Sequence, residues 1–332
     1  MKKLLFILGV TSTIAFTSCE DMFTPTIENF LEIETAYDRP LYAQGILLNG
    51  YNRVPTNSWS FNDVATDDAV TNDRASNYLK IATGQWTAMN NPLEQWRNSR
   101  SAIQYINNFL SIQDNVSWSS SESINTMFND RMRGEALGLR ALFLYHLLQT
   151  HAGKTSSGEV LGVPIVLDYE TIESDFNKPR ATFDECMQQI YEDLDKADEL
   201  LPLDFEDISN ASQIPAKYQS LGVNLTDYNQ VFGEKFRLRM TKRISQAIRA
   251  KAALLAASPA FNDGNTAKWE QAANHAGNVI QQKGGISGVD PQGALFYLPA
   301  SVNQMESGRN TAEIIWRVDR GDPSSSLEAD HF

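Results

Sequence analysis

Cysteine is almost missing from this chain: Cys19 and Cys186 are its only two in 332 residues. A disulfide-stapled scaffold is therefore excluded, and an apolar core has to supply the stability. Asp184 and Glu185 beside Cys186 raise a thiol pKa rather than lower it, which argues against a nucleophile there. Histidine is scarce as well. His146 and His151 are five apart, about 140° around a helix, which makes a poor metal pair. No Gly-x-Ser-x-Gly, His-Glu-x-x-His, Walker or dinucleotide fingerprint occurs, so no catalytic, metal or cofactor residue is assigned and no cofactor is expected. Basic residues are outnumbered, 28 against 41 acidic, for a net charge of −13. Such a chain is a poor nucleic-acid binder and does not lie flat on an anionic membrane. Neutral ligands, or ligands with few charges, suit it better. No apolar run approaches the ~20 residues that a membrane-spanning helix needs.

What is present begins at the N-terminus. Lys2 and Lys3 form a short positive region, and Leu4 to Val10 with Ile14 to Phe16 give an apolar stretch of signal-peptide length. Phe16-Thr17-Ser18-Cys19 then resembles the lipobox of bacterial lipoproteins. That resemblance implies a signal peptide over 1–18, a lipid on Cys19 and a soluble domain tethered to a membrane surface. Two or three acyl chains hold such a domain stably where one does so only marginally. Residues 19–39, acidic and weakly patterned, read as the tether. The remainder, 40–332, is long enough for one large domain or two ordinary ones.

The patterning after the tether is helical. Asn91-Pro92-Leu93-Glu94 reads as a helix start, with Asn at the N-cap, Pro at N1 and Glu in a capping-box position. Leu93, Trp96, Ile103, Ile106 and Leu110 follow on one face. A second helix, about 125–150, is apolar nearly all round from Ala136 to Leu148, which predicts burial on several sides. Leu139 and Phe143, four apart, belong in its core. Residues 168–180 read as a loop. Thr182-Phe183-Asp184-Glu185 is a capping box opening a helix that runs to Pro202. Residues 204–232 lack a clear period and read as a long polar loop, functional or disordered. Helices over 243–257 and 266–282 follow, and 313–318 reads as a short strand. Paired helices joined by short turns predict an all-α fold of degenerate tetratricopeptide-like hairpins in one α-superhelix, with long irregular loops carried on it.

Several segments resemble the SusD/RagB-type lipoproteins of Bacteroidota. They are the Ser18-Cys19 terminus, Asp63-Val64-Ala65-Thr66-Asp67-Asp68-Ala69, and Trp96-Arg97-Asn98-Ser99-Arg100 leading to Ile103 and Asn107. Above all there is the run from Arg133-Gly134-Glu135-Ala136 to Leu139-Arg140-Ala141-Leu142-Phe143-Leu144-Tyr145, with Gly162-Val163-Pro164 after it. The resemblance implies a nutrient-binding lipoprotein on the outer face of the outer membrane. Such a protein captures glycans, or for some members peptides, and delivers them to a SusC-like TonB-dependent transporter without catalysis. Family members are usually longer, so the resemblance also implies that 40–332 lacks the family's C-terminal part. A scaffolding role in an outer-membrane complex and a lipid-anchored glycoside hydrolase are the alternative functions.

A pyranose ring offers an apolar C–H face to Trp or Tyr and hydroxyls to Asp, Asn and Arg. Trp59 and Trp86 lie in polar loop contexts and are the candidate stacking residues. Asp67, Arg74 and Asn91 are the nearest polar candidates in sequence, and the resemblance points to the same stretch. The acidic run Asp63, Asp67, Asp68, Asp73 is loosely spaced without the Gly of a calcium loop, so helix capping or ligand contact is the expectation there. Trp96, Trp269 and Trp316 are assigned to the core, and Trp118 to a Ser-rich turn.

Overall fold

A computed structural model of the chain describes residues 33–55, 62–87, 89–289 and 313–317. Trp59, Cys19, the signal peptide and most of the tether lie outside the described residues. The chain divides into a unit of residues 1–35 and a unit of residues 36–332, and the account below concerns the second.

That unit is all-α, as its patterning predicts. The helices are α1 (Pro40–Tyr51), α2 (Asn77–Ala82), α3 (Trp96–Ile112), α4 (Glu122–His151), α5 (Phe183–Leu200), α6 (Ala216–Gln219), α7 (Leu225–Phe232), α8 (Lys242–Ala257) and α9 (Ala267–Gln282). The described residues hold one tiny antiparallel hairpin, β1 (Gly153–Lys154) with β2 (Val160–Leu161), in the register Gly153 opposite Leu161. The long helices pack as a line of neighbours: α1 on α3, α3 on α4, α4 on α5, α5 on α8 and α8 on α9. That is the order of stacked helical hairpins, in which each element buries its apolar stripe against the next.

The central helix α4 runs 30 residues, about 45 Å at 1.5 Å per residue. It packs on α1, α3, α5, α7 and α8, and every residue from Gly134 to Tyr145 is buried. Leu139 and Phe143 are fully enclosed. Two glycines one turn apart explain how so many neighbours approach it. A Cβ on Gly134 would sit 2.7 Å from Leu201, and one on Gly138 2.7 Å from Met240, closer than any side chain tolerates without displacing a neighbour.

Two buried polar networks lock α4 in place. Arg140 donates from Nε and Nη2 to the two oxygens of Asp193 on α5, both at 2.7 Å, and from Nη1 to Asn107 on α3 at 3.1 Å. Asn107 in turn donates to the carbonyls of Val166 and Asp168. One guanidinium thus joins three helices and the loop after β2. The second network centres on Glu135. It accepts from the Tyr51 hydroxyl of α1 at 2.6 Å and pairs with Arg131 at 3.3 Å and Arg239 at 3.5 Å. The Tyr51 oxygen also accepts the Met240 N–H, and Arg131 donates to the Val231 carbonyl. Burial and the Glu135 charge hold the Tyr51 hydroxyl well above its usual pKa, so it stays a donor at any ordinary pH.

Three expectations are corrected. The helix anticipated at Asn91-Pro92 starts instead at Trp96. Asn91 closes a local turn by accepting the Leu93 N–H, while its amide donates to the Thr150 carbonyl at the end of α4, so this segment is held by another helix rather than by its own. Residues 204–232 are packed rather than loose. Phe205, Ile214, Tyr218, Tyr228 and Phe232 are buried there, and α6 and α7 interrupt the irregular backbone. Residues 313–317 form no strand, although the Trp316 indole donates to the Leu238 carbonyl. The capping box at Thr182 forms as read, with Thr182 and Glu185 each accepting the other's backbone N–H.

His146 makes this scaffold acid-sensitive. Burial, with the Lys251 charge adding to it, lowers its pKa from 6.5 to about 4. The unfolded chain then binds a proton below pH 6.5 that the folded chain refuses until about pH 4. Stability should therefore fall by about 3 kcal/mol between those pH values on this account alone. Denaturant titrations of the protein and of His146→Gln should show that extra loss only in the former.

Candidate functional site

The segment from Trp86 to Arg100 leaves α2, makes a tight turn and enters α3 over the C-terminal end of α4. Trp86 precedes a bridge between Thr87 and Asn90, and the Asn90 amide donates to the Gln85 carbonyl. The Thr87–Asn90 backbone bonds and the Asn90 side-chain amide hold the turn, while Trp86 and Met89 point outward. Trp86 is 57% exposed and Met89 97% exposed. Asn77, in the first turn of α2, donates to the Pro92 carbonyl at 3.0 Å and ties that helix to the same segment.

Trp96 is the residue that sequence reasoning misplaced. It is 40% exposed rather than core, because the helix starts later than expected and Trp96 falls in the helix's first turn. Its ring meets His151 edge-on with centroids 5.4 Å apart, and the Arg100 guanidinium lies 6.0 Å from it. His151 closes α4, and its Nε2 lies 3.4 Å from the Gln95 N–H and 3.9 Å from Glu94. Burial and the Arg180 charge lower its pKa against the pull of Glu94, so the imidazole is neutral at pH 7. The missed signal was the juxtaposition of two segments distant in sequence. Trp269, also assigned to the core, is likewise part-exposed on α9, at 45%. Trp118 packs between Phe109 and Phe128 and donates to Asn129, which makes it a structural residue.

Of the residues singled out from the sequence, Asn91 is half-buried and Trp86 exposed in one turn. Asp67 lies exposed just after the 3₁₀ turn Asn62–Ala65, which packs on α2, and Arg74 lies exposed just ahead of α2. The segments are thus brought into one neighbourhood, while none of the four side chains hydrogen-bonds another. Asp73 accepts the Ala75 N–H, a turn-forming role. Among the described residues no group of three or more His, Cys, Asp or Glu is placed to hold a metal ion. Cys186 is buried and donates to the Val163 carbonyl, and burial pushes its thiol pKa up.

Beside this neighbourhood runs the loop 167–178. Gln104 on α3 and Glu170 exchange backbone and side-chain hydrogen bonds in both directions, and Glu170 pairs with Arg100 at 3.0 Å and Lys178 at 3.1 Å. The base is fixed, yet Tyr169, Ile172 and Phe176 stand exposed. What the neighbourhood offers chemically is indole faces, amides, carboxylates and guanidinium groups, carried on turns and on the first turns of α3.

The sequence matches, over residues 31–221, a SusD-like family described as starch-binding and associating with the outer membrane. The chain belongs to the SusD-like family. Solved structures agree on the fold. A SusD-like protein from Bacteroides fragilis superposes with a TM-score of 0.57 at 17% identity, covering 87% of this chain and 46% of its own. A SusD-like carbohydrate-binding protein from Bacteroides vulgatus gives 0.50 at 17% identity, covering 84% and 50%. This SusD-like chain therefore spans about half the length of the structures it matches. No curated protein matches it by sequence. The family's recognisable helix, here 133–145, carries Glu135 and Arg140, and both are spent on internal bonds.

Proposed function

We propose that this SusD-like chain binds glycan without catalysis at the cell surface and passes it to a SusC-like TonB-dependent transporter. In this reading it is lipidated at Cys19 and faces outward from the outer membrane. The observation that carries the reading is the pair Trp86 and Trp96, exposed at the two ends of one segment with Asn91 between them. The family membership supports the ligand class, and the net charge of −13 suits a neutral polymer. The exposed Ile172 and Phe176 supply apolar area for a protein partner. No helix among the described residues is long and apolar enough to cross a membrane, so the membrane contact in this reading is the lipid.

Affinity electrophoresis through gels holding starch, laminarin and other neutral glycans tests the function. Retardation by at least one of them, with no release of reducing ends, is the expected result; migration unchanged in every gel contradicts it, and reducing ends at enzymatic rates favour the hydrolase instead. Trp86→Ala should weaken retardation by ~5- to 150-fold, the equivalent of losing ~1–3 kcal/mol of stacking. Melting should hardly change, since the loop tip adds little to the core. The anchor is tested separately. Cys19→Ala should move the protein out of the membrane fraction or leave it unprocessed, whereas a correctly cleaved variant still in the membrane would contradict lipidation.

A further inference from the structure

The last turn of α4 holds the segment that carries Trp96 through three separate contacts. The Thr150 carbonyl accepts the Asn91 amide at 3.2 Å. His151, one residue on, accepts the Gln95 N–H at Nε2 and meets the Trp96 ring edge-on. Arg180 fixes His151 in turn, donating to its carbonyl at 2.7 Å and to the carbonyls of Leu161 and Gly162.

A nitrogen accepts only through a lone pair, so the bond to Gln95 exists only while Nε2 is unprotonated. The neutral ring then carries its proton on Nδ1. Glu94 has a complementary task. Its Oε1 accepts the Arg97 N–H at 3.1 Å and so satisfies a free donor in the first turn of α3. The same oxygen lies 3.9 Å from His151 Nε2. Gln95, at the N-cap of α3, makes no side-chain cap bond of its own. Trp96 therefore sits between two residues whose backbone N–H groups are held by His151 and by Glu94.

One proton on Nε2 changes both bonds. The acceptor becomes a donor, and the Gln95 N–H is left without a partner. The new cation is drawn to Glu94 Oε1, the acceptor that the Arg97 N–H was using. The charges around the ring set the sign of the effect. Glu94 faces it from the turn before α3 and Arg180 from the residues ahead of α5, while Arg100 on α3 is the charge beside the Trp96 ring. Burial and Arg180 oppose a charge on His151 more than Glu94 favours it, so the ring charges only below its ordinary 6.5. The folded arrangement is thus the neutral one, and acid works against it. We infer that His151 is the positioning residue of Trp96: neutral, it holds the indole in its binding arrangement, and protonated, it releases the segment, so that ligand capture weakens on mild acidification. The inference rests on the proposed function for what Trp96 contacts, whereas the coupling of His151 to Trp96 does not.

The test starts without ligand. Proton NMR of the full chain follows the His151 ring and the Trp96 indole N–H from about pH 7.5 to about pH 5, with signals assigned through His151→Gln and Trp96→Phe. The indole signal should move with the imidazole, at one midpoint below 6.5, and should stay still in His151→Gln. Glutamine keeps an acceptor for Gln95 and does not titrate. Glu94→Gln should lower the common midpoint, because it removes the charge that favours the imidazolium. Affinity for the glycan that retards the protein is then measured at both pH values. The wild type should bind at least about fivefold more weakly at the lower one, the smaller end of what one stacking contact is worth. His151→Gln should change by less than about twofold between them. The acid loss from His146 is common to both proteins and cancels in the comparison. An indole signal that ignores the His151 titration, or that moves equally in His151→Gln, overturns the inference. So does a wild-type affinity unchanged between the two pH values, or an equal fall in both proteins. Coupled signals alongside unretarded migration in every glycan gel would keep the positioning role and reject the proposed function instead.

Discussion

Replacing Glu135 by alanine is expected to cost about 3–5 kcal/mol, the usual loss when one partner of a buried ion pair is removed. Arg131, 1% exposed, has no water to turn to once the carboxylate is gone. What is left to it is the Val231 carbonyl, the Met132 sulfur and the faces of Phe236, 3.8 Å away, and Phe128, none of them an anion. Arg239 and the Tyr51 hydroxyl lose the same acceptor. Against a total stability of ~5–15 kcal/mol, that loss brings the domain close to unfolding at ordinary temperature. Urea denaturation of the wild type, Glu135→Ala and Glu135→Gln checks it, with the glutamine variant expected between the other two because it still accepts from Tyr51. An alanine variant within 1 kcal/mol of wild type would show that the cluster does not hold α1 and the 231–240 segment to α4.

The second large effect concerns Asp193. It takes both strong bonds of Arg140 and a third from Gln189 at 3.1 Å. Asp193→Ala leaves a buried guanidinium with only Asn107 and the Leu167 carbonyl, and should also cost about 3–5 kcal/mol. Because Arg140 positions Asn107, and Asn107 holds the carbonyls of Val166 and Asp168, the loss should reach the 167–178 loop. Limited proteolysis of Asp193→Ala, under conditions where it stays folded, should therefore cut in that loop faster than in wild type. Pairing the change with Arg140→Met, which removes the stranded charge, should recover part of the stability. If the double variant is no better than the single one, uncompensated charge is not the cause.

The two networks also show what was legible in the sequence. The apolar run from Ala136 to Leu148 announced a helix buried on several sides, and it is. The capping box at Thr182 and the helices before Ala257 and Gln282 are local signals, settled within one or two turns, and they appear within a residue or so of where they were read. Glu135 at the edge of the apolar run and Arg140 inside it were visible as family features, but apart from Arg131, one turn from Glu135, their partners lie 33 to 104 residues away, at Asn107, Asp193, Tyr51 and Arg239, and no local rule finds those. The Asn91 start failed because its oxygen, in accepting the Leu93 N–H, closes only a local turn, while its amide is held by the distant Thr150 carbonyl.

The candidate site was half legible. Exposure of Trp86 followed from its polar neighbours, whereas the Asn91 side chain serves the scaffold through Leu93 and Thr150. Trp96 was hidden by a periodicity argument that began the helix one turn too early. His151 was hidden because its role depends on a helix end meeting a loop.

The most direct measurement is isothermal titration of the glycan that retards the wild-type protein into three samples: wild type, Trp86→Ala and the double variant Trp86→Ala/Trp96→Ala. The account predicts successive losses of affinity, more than tenfold in total, with melting curves that overlay. Equal affinities in all three would place glycan recognition elsewhere and contradict the assignment of this segment as the site.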